Sequence, residues 1–208
     1  MLNNSIRAAL ITILISGQAV AIEEAQYEVI SKQNNIEVRH YVPHVLAETI
    51  VNDNIEDAGN AAFQPLFEYI SGDNTAKIDI TMTAPISRQA ASEKIAMTAP
   101  VSQQKANNGW AISFMMPAYY TLATLPKPNN PRVELRQVPE RVVASIRYSG
   151  FWSKENYSKH KQELESWIQQ SNHQINGEAI WARYNAPFTP WFLRRNEVLI
   201  PITDIRTQ

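Results

Sequence analysis

The stretch IEVRHYVPHVLAETI, residues 36–50, returns in altered form as VELRQVPERVVASIR at residues 133–147. Each copy opens aliphatic-Glu-aliphatic-Arg, runs into Val-Pro, and carries an alanine eleven residues from its start. Both read as a strand, a proline-marked turn and a second strand, and a helical pattern follows each at about the same remove. Such a duplication narrows the choice of folds sharply. It predicts one α+β domain, a distorted antiparallel β-barrel or sheet with two main helices, built from two halves related by a pseudo-twofold axis.

The first helical pattern places apolar residues at Ile55, Ala58, Ala62, Phe63, Leu66, Phe67 and Ile70. Spacings of three, four and seven mark one buried face. Asp53 or Asn54 suits the N-cap and Gly72 the C-terminal stop, while Pro65 is expected to kink the helix because an interior proline removes a hydrogen bond. In the second helix Ser153 is the expected N-cap, with Tyr157, Leu164, Trp167 and Ile168 broadly on one side. Further strands are expected over 27–30, 45–51, 110–116, 179–184 and 197–202. A shorter repeat lies between the halves: ITMTAPIS at 80–87 and IAMTAPVS at 95–102 share six of eight positions, fifteen residues apart. Alternation makes each copy a strand with Ile and Met turned inward. Each should end near its proline, Pro85 or Pro100, which cannot donate to a central ladder.

The N-terminus carries one cation, Arg7, then a mostly apolar run from Ala8 to Gly17, then Gln18 and the small-x-small triplet Ala19-Val20-Ala21. This is the layout of a secretory signal peptide over 1–21, with 22–208 as the mature domain. The alternative is a membrane anchor, but ten residues are too few to span about 30 Å of hydrocarbon comfortably, so cleavage after Ala21 is favoured. Export to the periplasm or medium is the corresponding expectation. The mature chain loses Arg7 alone among charged residues and stands at a net charge of −2. Nineteen basic against twenty acidic residues in the full chain give no general attraction to nucleic acid or anionic lipid.

Catalytic signatures are lacking. The chain has no Cys, which excludes thiol nucleophiles and zinc-thiolate sites. No GxSxG, HExxH, P-loop or GxGxxG occurs, and Thr83, Ser87, Thr98 and Ser102 have no adjacent candidate base. Of the four histidines only His40 and His44 are closely spaced, with Pro43 between them. Two phenylalanines four residues apart and the methionines of the octapeptides would suit an apolar planar ligand, since methionine packs well on flat aromatic surfaces. Spacing alone favours plain core for the same residues. His40 is a candidate iron ligand through neutral imidazole, or a surface residue beside Tyr41.

Taken together, YEVI and IEVRHY, AAFQPLFEYISGDN, KIAMTAPV, LPKPNNPRVELRQVP, YSGFWS and YNAPFTPWFLRRNEVLIPI resemble, in order and spacing, the SOUL haem-binding protein family over essentially all of the mature region. The resemblance implies a distorted β-barrel flanked by two long helices, in two similar halves. It also implies reversible, non-covalent and non-catalytic binding of haem or a related tetrapyrrole. It places the pocket along the first helix, around Asn60, Phe63 and Phe67, and matches His40 to a position proposed as an axial iron ligand in some members. Arg194 and Arg195 would pair with haem propionates through their guanidinium forks, or else close the barrel by ordinary hydrogen bonding. The same duplicated fold resembles effector-binding domains of bacterial regulators. A non-haem binding module is therefore the first alternative, and an enzyme acting on tetrapyrroles the second.

Overall fold

The computed structural model describes residues 23–55, 57–76, 92–106 and 109–204. The signal-peptide reading of 1–21 and the strand expected in the first octapeptide, 80–87, lie outside the described residues. The elements in chain order are β1 (Tyr27–Gln33), β2 (Ile36–Tyr41), β3 (His44–Val51), α1 (Ala58–Ser71), β4 (Asn74–Thr75), β5 (Val101–Ala106), β6 (Gly109–Met115), β7 (Lys127–Pro128), β8 (Glu134–Val138), β9 (Arg141–Tyr148), α2 (Lys154–Gln170), β10 (His173–Ile175), β11 (Ile180–Arg183) and β12 (Asn196–Asp204).

One large antiparallel sheet runs β1-β2-β9-β12-β11-β5-β6-β3-β8, with β10 added to β12; β4 and β7 form a separate two-stranded ribbon. The path is open at both ends, so the barrel suggested by the resemblance is not closed. The duplication is visible in the pairing itself. β2 pairs with β9 and β3 with β8, so each half gives its first strand to the other half's second. One register passes through both pairs without a slip: Ile36 stands opposite Ile146, Tyr41 opposite Arg141, and His44 opposite Val138. Between the strands lie the matched corners Val42-Pro43 and Pro139-Glu140, where a residue without an N–H costs the ladder nothing.

Both helices cover the same face of the sheet. α1 buries Ala58, Ala62, Leu66, Tyr69 and Ile70 against Val45, Ala47, Ile112 and Phe114. α2 buries Tyr157, Leu164 and Ile168 against Val38, Ala144, Ile146, Trp181 and Val198. Each fully buried aliphatic side chain contributes about 1.5–3 kcal/mol of transfer free energy, which makes these two clusters the principal hydrophobic stabilisation. The Ser153 cap is as expected, its Oγ accepting from Asn156 N–H at 3.3 Å. Gly72 likewise ends α1 in the left-handed region at φ 117°.

Three expectations change. α1 starts later than Asp53 or Asn54 suggested, because Asn54 spends its side chain on a turn, its Oδ1 accepting from Asp57 N–H at 3.0 Å. The helix then runs unbroken from 58 to 71 through Pro65, which is buried. Residues 95–100 of the second octapeptide form no ladder apart from a single bridge between Ala99 and Glu24. That segment is tied instead at separate points, Ile95 N–H to the Ile70 carbonyl at 2.7 Å and the Thr98 hydroxyl to the Met115 carbonyl. β5 begins only after Pro100, which therefore precedes a strand rather than ending one.

Candidate functional site

Directly paired residues of an antiparallel sheet project from the same face. Across the helix-covered face this produces one row: Tyr148 on β9, Asn196 on β12, Arg183 on β11, Val101 on β5 and Phe114 on β6. α1 lies over the Phe114 end and α2 over the Tyr148 end, with Arg183 between them.

At the α1 end, Phe63 meets buried Phe114 edge-on with ring centroids 5.6 Å apart. Phe67 stacks on Phe63 at 5.6 Å and 14° between planes. These two rings depart from the single buried face expected of α1: Phe63 is 40% exposed and Phe67 41%, whereas Leu66 between them is fully buried. The geometry of the helix gives the reason. Positions 63 and 67 lie on the flank of the stripe centred on 62, 66 and 69, so the sheet covers their rings only in part. Asn60 is also exposed, on the same outer side one turn earlier. The three residues expected along the first helix are thus brought together, as an open apolar surface.

In the middle of the row the strand alternation of β11 turns Trp181 and Arg183 toward the helices and Ile180 and Ala182 away. The Arg183 guanidinium lies 4.0 Å from the Trp181 ring centroid and 5.3 Å from that of Trp152. Its Nη2 donates to Gln103 Oε1 at 3.0 Å, and Gln103 in turn donates to the Ile55 carbonyl just ahead of α1. Burial pulls the Arg183 guanidinium down to about 10, only slightly opposed by Tyr148. Gly59 of α1 faces this group so closely that a Cβ there would stand 3.0 Å from Nη1.

His40 is elsewhere. It pairs on β2 with Val142 of β9 and Glu28 of β1, its Nε2 3.7 Å from Glu140. Four strands (β9, β12, β11 and β5) separate β2 from β6 along the sheet. The structure therefore does not bring His40 to the Phe63–Phe67 surface. His44 is engaged separately, Nδ1 donating to the Val42 carbonyl at 3.0 Å, and its basicity is lowered chiefly by burial. No cluster of three or more His, Cys, Asp or Glu suited to a metal occurs among the described residues.

Arg194 and Arg195 are tied within the chain. Arg194 donates to the Thr189 and Pro187 carbonyls at 2.8 and 2.7 Å and stacks over Trp152 at 4.3 Å. Arg195 points to the opposite face, where Nε meets Glu197 and Nη1 meets Glu24, each at 2.9 Å. It belongs to an alternating chain of charges, Lys32–Glu37–Arg39–Glu197–Arg195–Glu24. These bonds agree with the structural reading of the Arg194-Arg195 pair.

Two hollows on the helix-free face, about 40 and 260 Å³, are lined in common by Glu24, Ala25, His44 and Met115. Both fall short of the roughly 300–1,000 Å³ usual for a small-molecule site; a third, of about 470 Å³, falls within that range but is lined mainly by charged and polar side chains, among them Lys32, Glu37, Arg39, Arg147 and Arg195. The surface at α1 is the apolar candidate for a large flat ligand, with the stacked Phe63 and Phe67 rings on it. Sequence reasoning missed Arg183, Trp152, Gly59 and Phe114. The available signal was a charged residue in the short apolar strand IWAR, two positions after a tryptophan on the same face.

The SOUL heme-binding protein family matches residues 22–201. No curated protein sequence matches the chain. Among solved structures, the C-terminal domain of EcmrR is similar at 9% identity and a TM-score of 0.55, covering 86% of this chain and 99% of that one. A hydrolase from Listeria innocua is similar at 8% identity and a TM-score of 0.53, covering 84% of this chain and 94% of that one. At these identities the likeness is one of fold.

Proposed function

Because this chain belongs to the SOUL heme-binding protein family, we propose that it is an exported, non-catalytic protein that binds haem or a related tetrapyrrole without a covalent link. The observation that carries this reading is the stacked Phe63–Phe67 pair, left in solvent on a helix whose other large apolar side chains are buried. A flat apolar macrocycle would cover both rings and remove their surface from water, which favours association at about 25 cal/mol per Å² of apolar area. Asn60, on the same side of α1, supplies a polar edge to that surface. The bound group would bring the iron or ring chemistry, and this chain's residues would hold and orient it.

The donor set supports docking rather than iron ligation by His40, which lies on a different part of the sheet. Export with cleavage after Ala21 fits a body that is tied down from Glu23 onward: the Glu23 carbonyl accepts from Ala99 and the Glu24 carboxylate pairs with Arg195.

Hemin titration tests the proposal. Saturation at one hemin per chain with a shifted Soret band is expected at micromolar hemin. Unsaturable uptake, or no shift, would leave a non-haem binding module on the same fold. Slow turnover of a bound tetrapyrrole would instead favour an enzyme. The His40→Ala variant is expected to keep the Soret position and stoichiometry of the parent protein, and a displaced band would return His40 to the iron.

A further inference from the structure

Arg141 opens β9 opposite Tyr41 of β2, so its side chain projects from the helix-free face with Tyr41 and, two positions on, Val143. It is half-buried there. Among the described residues no carboxylate lies within ion-pair distance of it, and its buried Nε has no hydrogen-bond partner. Arg39, Arg136 and Arg195 on the same sheet all have carboxylates. The acids at this end of the sheet are committed elsewhere: Glu140 turns to His40, Glu48 takes Arg136, Glu24 takes Arg195, and Glu23 accepts from Ala118 N–H. Burial lowers the basicity of Arg141, Arg136 adds to the effect, and Tyr41 opposes it. A cation withdrawn from water without a counter-charge is costly, and an anion brought to it relieves that cost.

Space for an anion lies beside it. The smaller hollow on this face is lined by Arg141 and His44 and by the apolar side chains of Leu46, Met115, Val143, Ile180 and Leu199. Its volume of about 40 Å³ exceeds the roughly 10–15 Å³ that one water needs, which leaves room for the three heavy atoms of a carboxylate. It shares Glu24, Ala25, His44 and Met115 with the hollow of about 260 Å³, so a short chain on that carboxylate has somewhere to run. His44 spends Nδ1 on the Val42 carbonyl, and burial, with the charges of Arg141 and Arg136 adding to it, disfavours its charged form. Arg141 is therefore the unmatched charge of this lining. An apolar wall with one such cation selects two properties together: a carboxylate supplies the missing acceptor through charge-assisted hydrogen bonds, and a hydrocarbon chain is removed from water.

We propose that the helix-free face carries a second binding site, for a small apolar monocarboxylate whose head group pairs with Arg141 and whose chain lies along Met115 toward the wider hollow. This site is on the opposite side of the sheet from the Phe63–Phe67 surface and does not depend on what α1 binds.

Octanoate and octanamide share a chain and differ in charge, so calorimetric titration with the two reads the contribution of Arg141. The parent protein is expected to take up one octanoate per chain, at least tenfold more tightly than octanamide. In Arg141→Met that preference should vanish through weaker octanoate binding, with octanamide affinity kept. An arginine that served the fold alone would lower the unfolding midpoint of the ligand-free protein when replaced. Arg141→Met removes an uncompensated charge and is expected to leave that midpoint unchanged or raise it. Ala25→Leu keeps the arginine and fills the space the two hollows share, and octanoate affinity should fall at least fivefold. Equal binding of the two ligands by the parent, binding of neither, or a preference kept in Arg141→Met would overturn the site. So would a lowered midpoint in ligand-free Arg141→Met, or octanoate binding undiminished in Ala25→Leu.

Discussion

Glu197→Gln is expected to destabilise the protein by about 3–5 kcal/mol, the scale for removing one member of a buried ion pair. At about 2–4 °C per kcal/mol for a chain of this size, thermal unfolding should show a midpoint at least roughly 6 °C lower. Glu197 is fully buried and receives Arg39 at 2.6 and 3.2 Å, Arg195 at 2.9 Å and the Tyr184 hydroxyl at 2.9 Å. Arg39 is itself only 3% exposed, so a neutral partner would leave its buried charge to Glu37 alone, which it shares with Lys32. Lys32→Met at the solvent end of the same chain of charges should cost less than about 1 kcal/mol, because that lysine is 63% exposed. Equal losses in the two variants would show that the buried pair has no special weight.

The same network sets an acid limit. Burial raises the Glu197 carboxyl, but the hydrogen bond and charge of Arg39, the charge of Arg195 and the Tyr184 hydroxyl outweigh it, and the net shift is downward from 4.5. A depressed carboxyl contributes stability that is complete above its ordinary value and lost as the pH falls through its folded value. Unfolding free energy measured from pH 7 downward should therefore decline below about pH 4.5 in the parent protein, and more gently in Glu197→Gln.

The second large effect concerns binding. Phe67→Glu should weaken tetrapyrrole binding about 100-fold, combining the loss of roughly 2–3 kcal/mol of apolar contact with a carboxylate set against an anionic ligand. Folding should change by less than about 1.5 kcal/mol, the upper worth of an aromatic pair, since Phe67 is not part of the buried stripe of α1. Hemin titration and thermal melts on one preparation separate the two effects. Undiminished hemin uptake by a folded variant would remove this surface as the site.

Much of the fold is legible in the sequence wherever a local rule decides. The alternation in IEVRHY gives β2 its observed limits, and Ser153 and Gly72 act as the cap and stop that their chemistry predicts. Local rules misplace other elements when tertiary contacts compete. Pro65 sits buried inside a continuous helix, and residues 95–100 hold to Glu23, Ile70 and Met115 rather than to a strand partner. The aromatic part of the site is legible in composition, but its exposure is not. Whether Phe63 and Phe67 face core or solvent depends on a rotation of α1 that its mixed apolar pattern leaves open. The surroundings of Arg183 could not be found from spacing, since its neighbours Gly59, Gln103, Trp152 and Trp181 lie up to 124 positions away. Adjacent in sequence, Arg194 and Arg195 look alike and yet project to opposite faces, each already engaged.

The reciprocal pairing of β2 with β9 and β3 with β8 leaves neither half with a ladder of its own across this seam. Closing that seam brings together segments about a hundred residues apart, an entropic cost met before any of its hydrogen bonds form. Folding should accordingly be a late, all-or-none event, with the first half exposing two open edges until β9 is available. Two copies of one half could satisfy those edges by exchanging the same strands about the same axis. The seam thus has the form of a dimer interface drawn into a single chain, and a severed half would be expected to seek its own likeness.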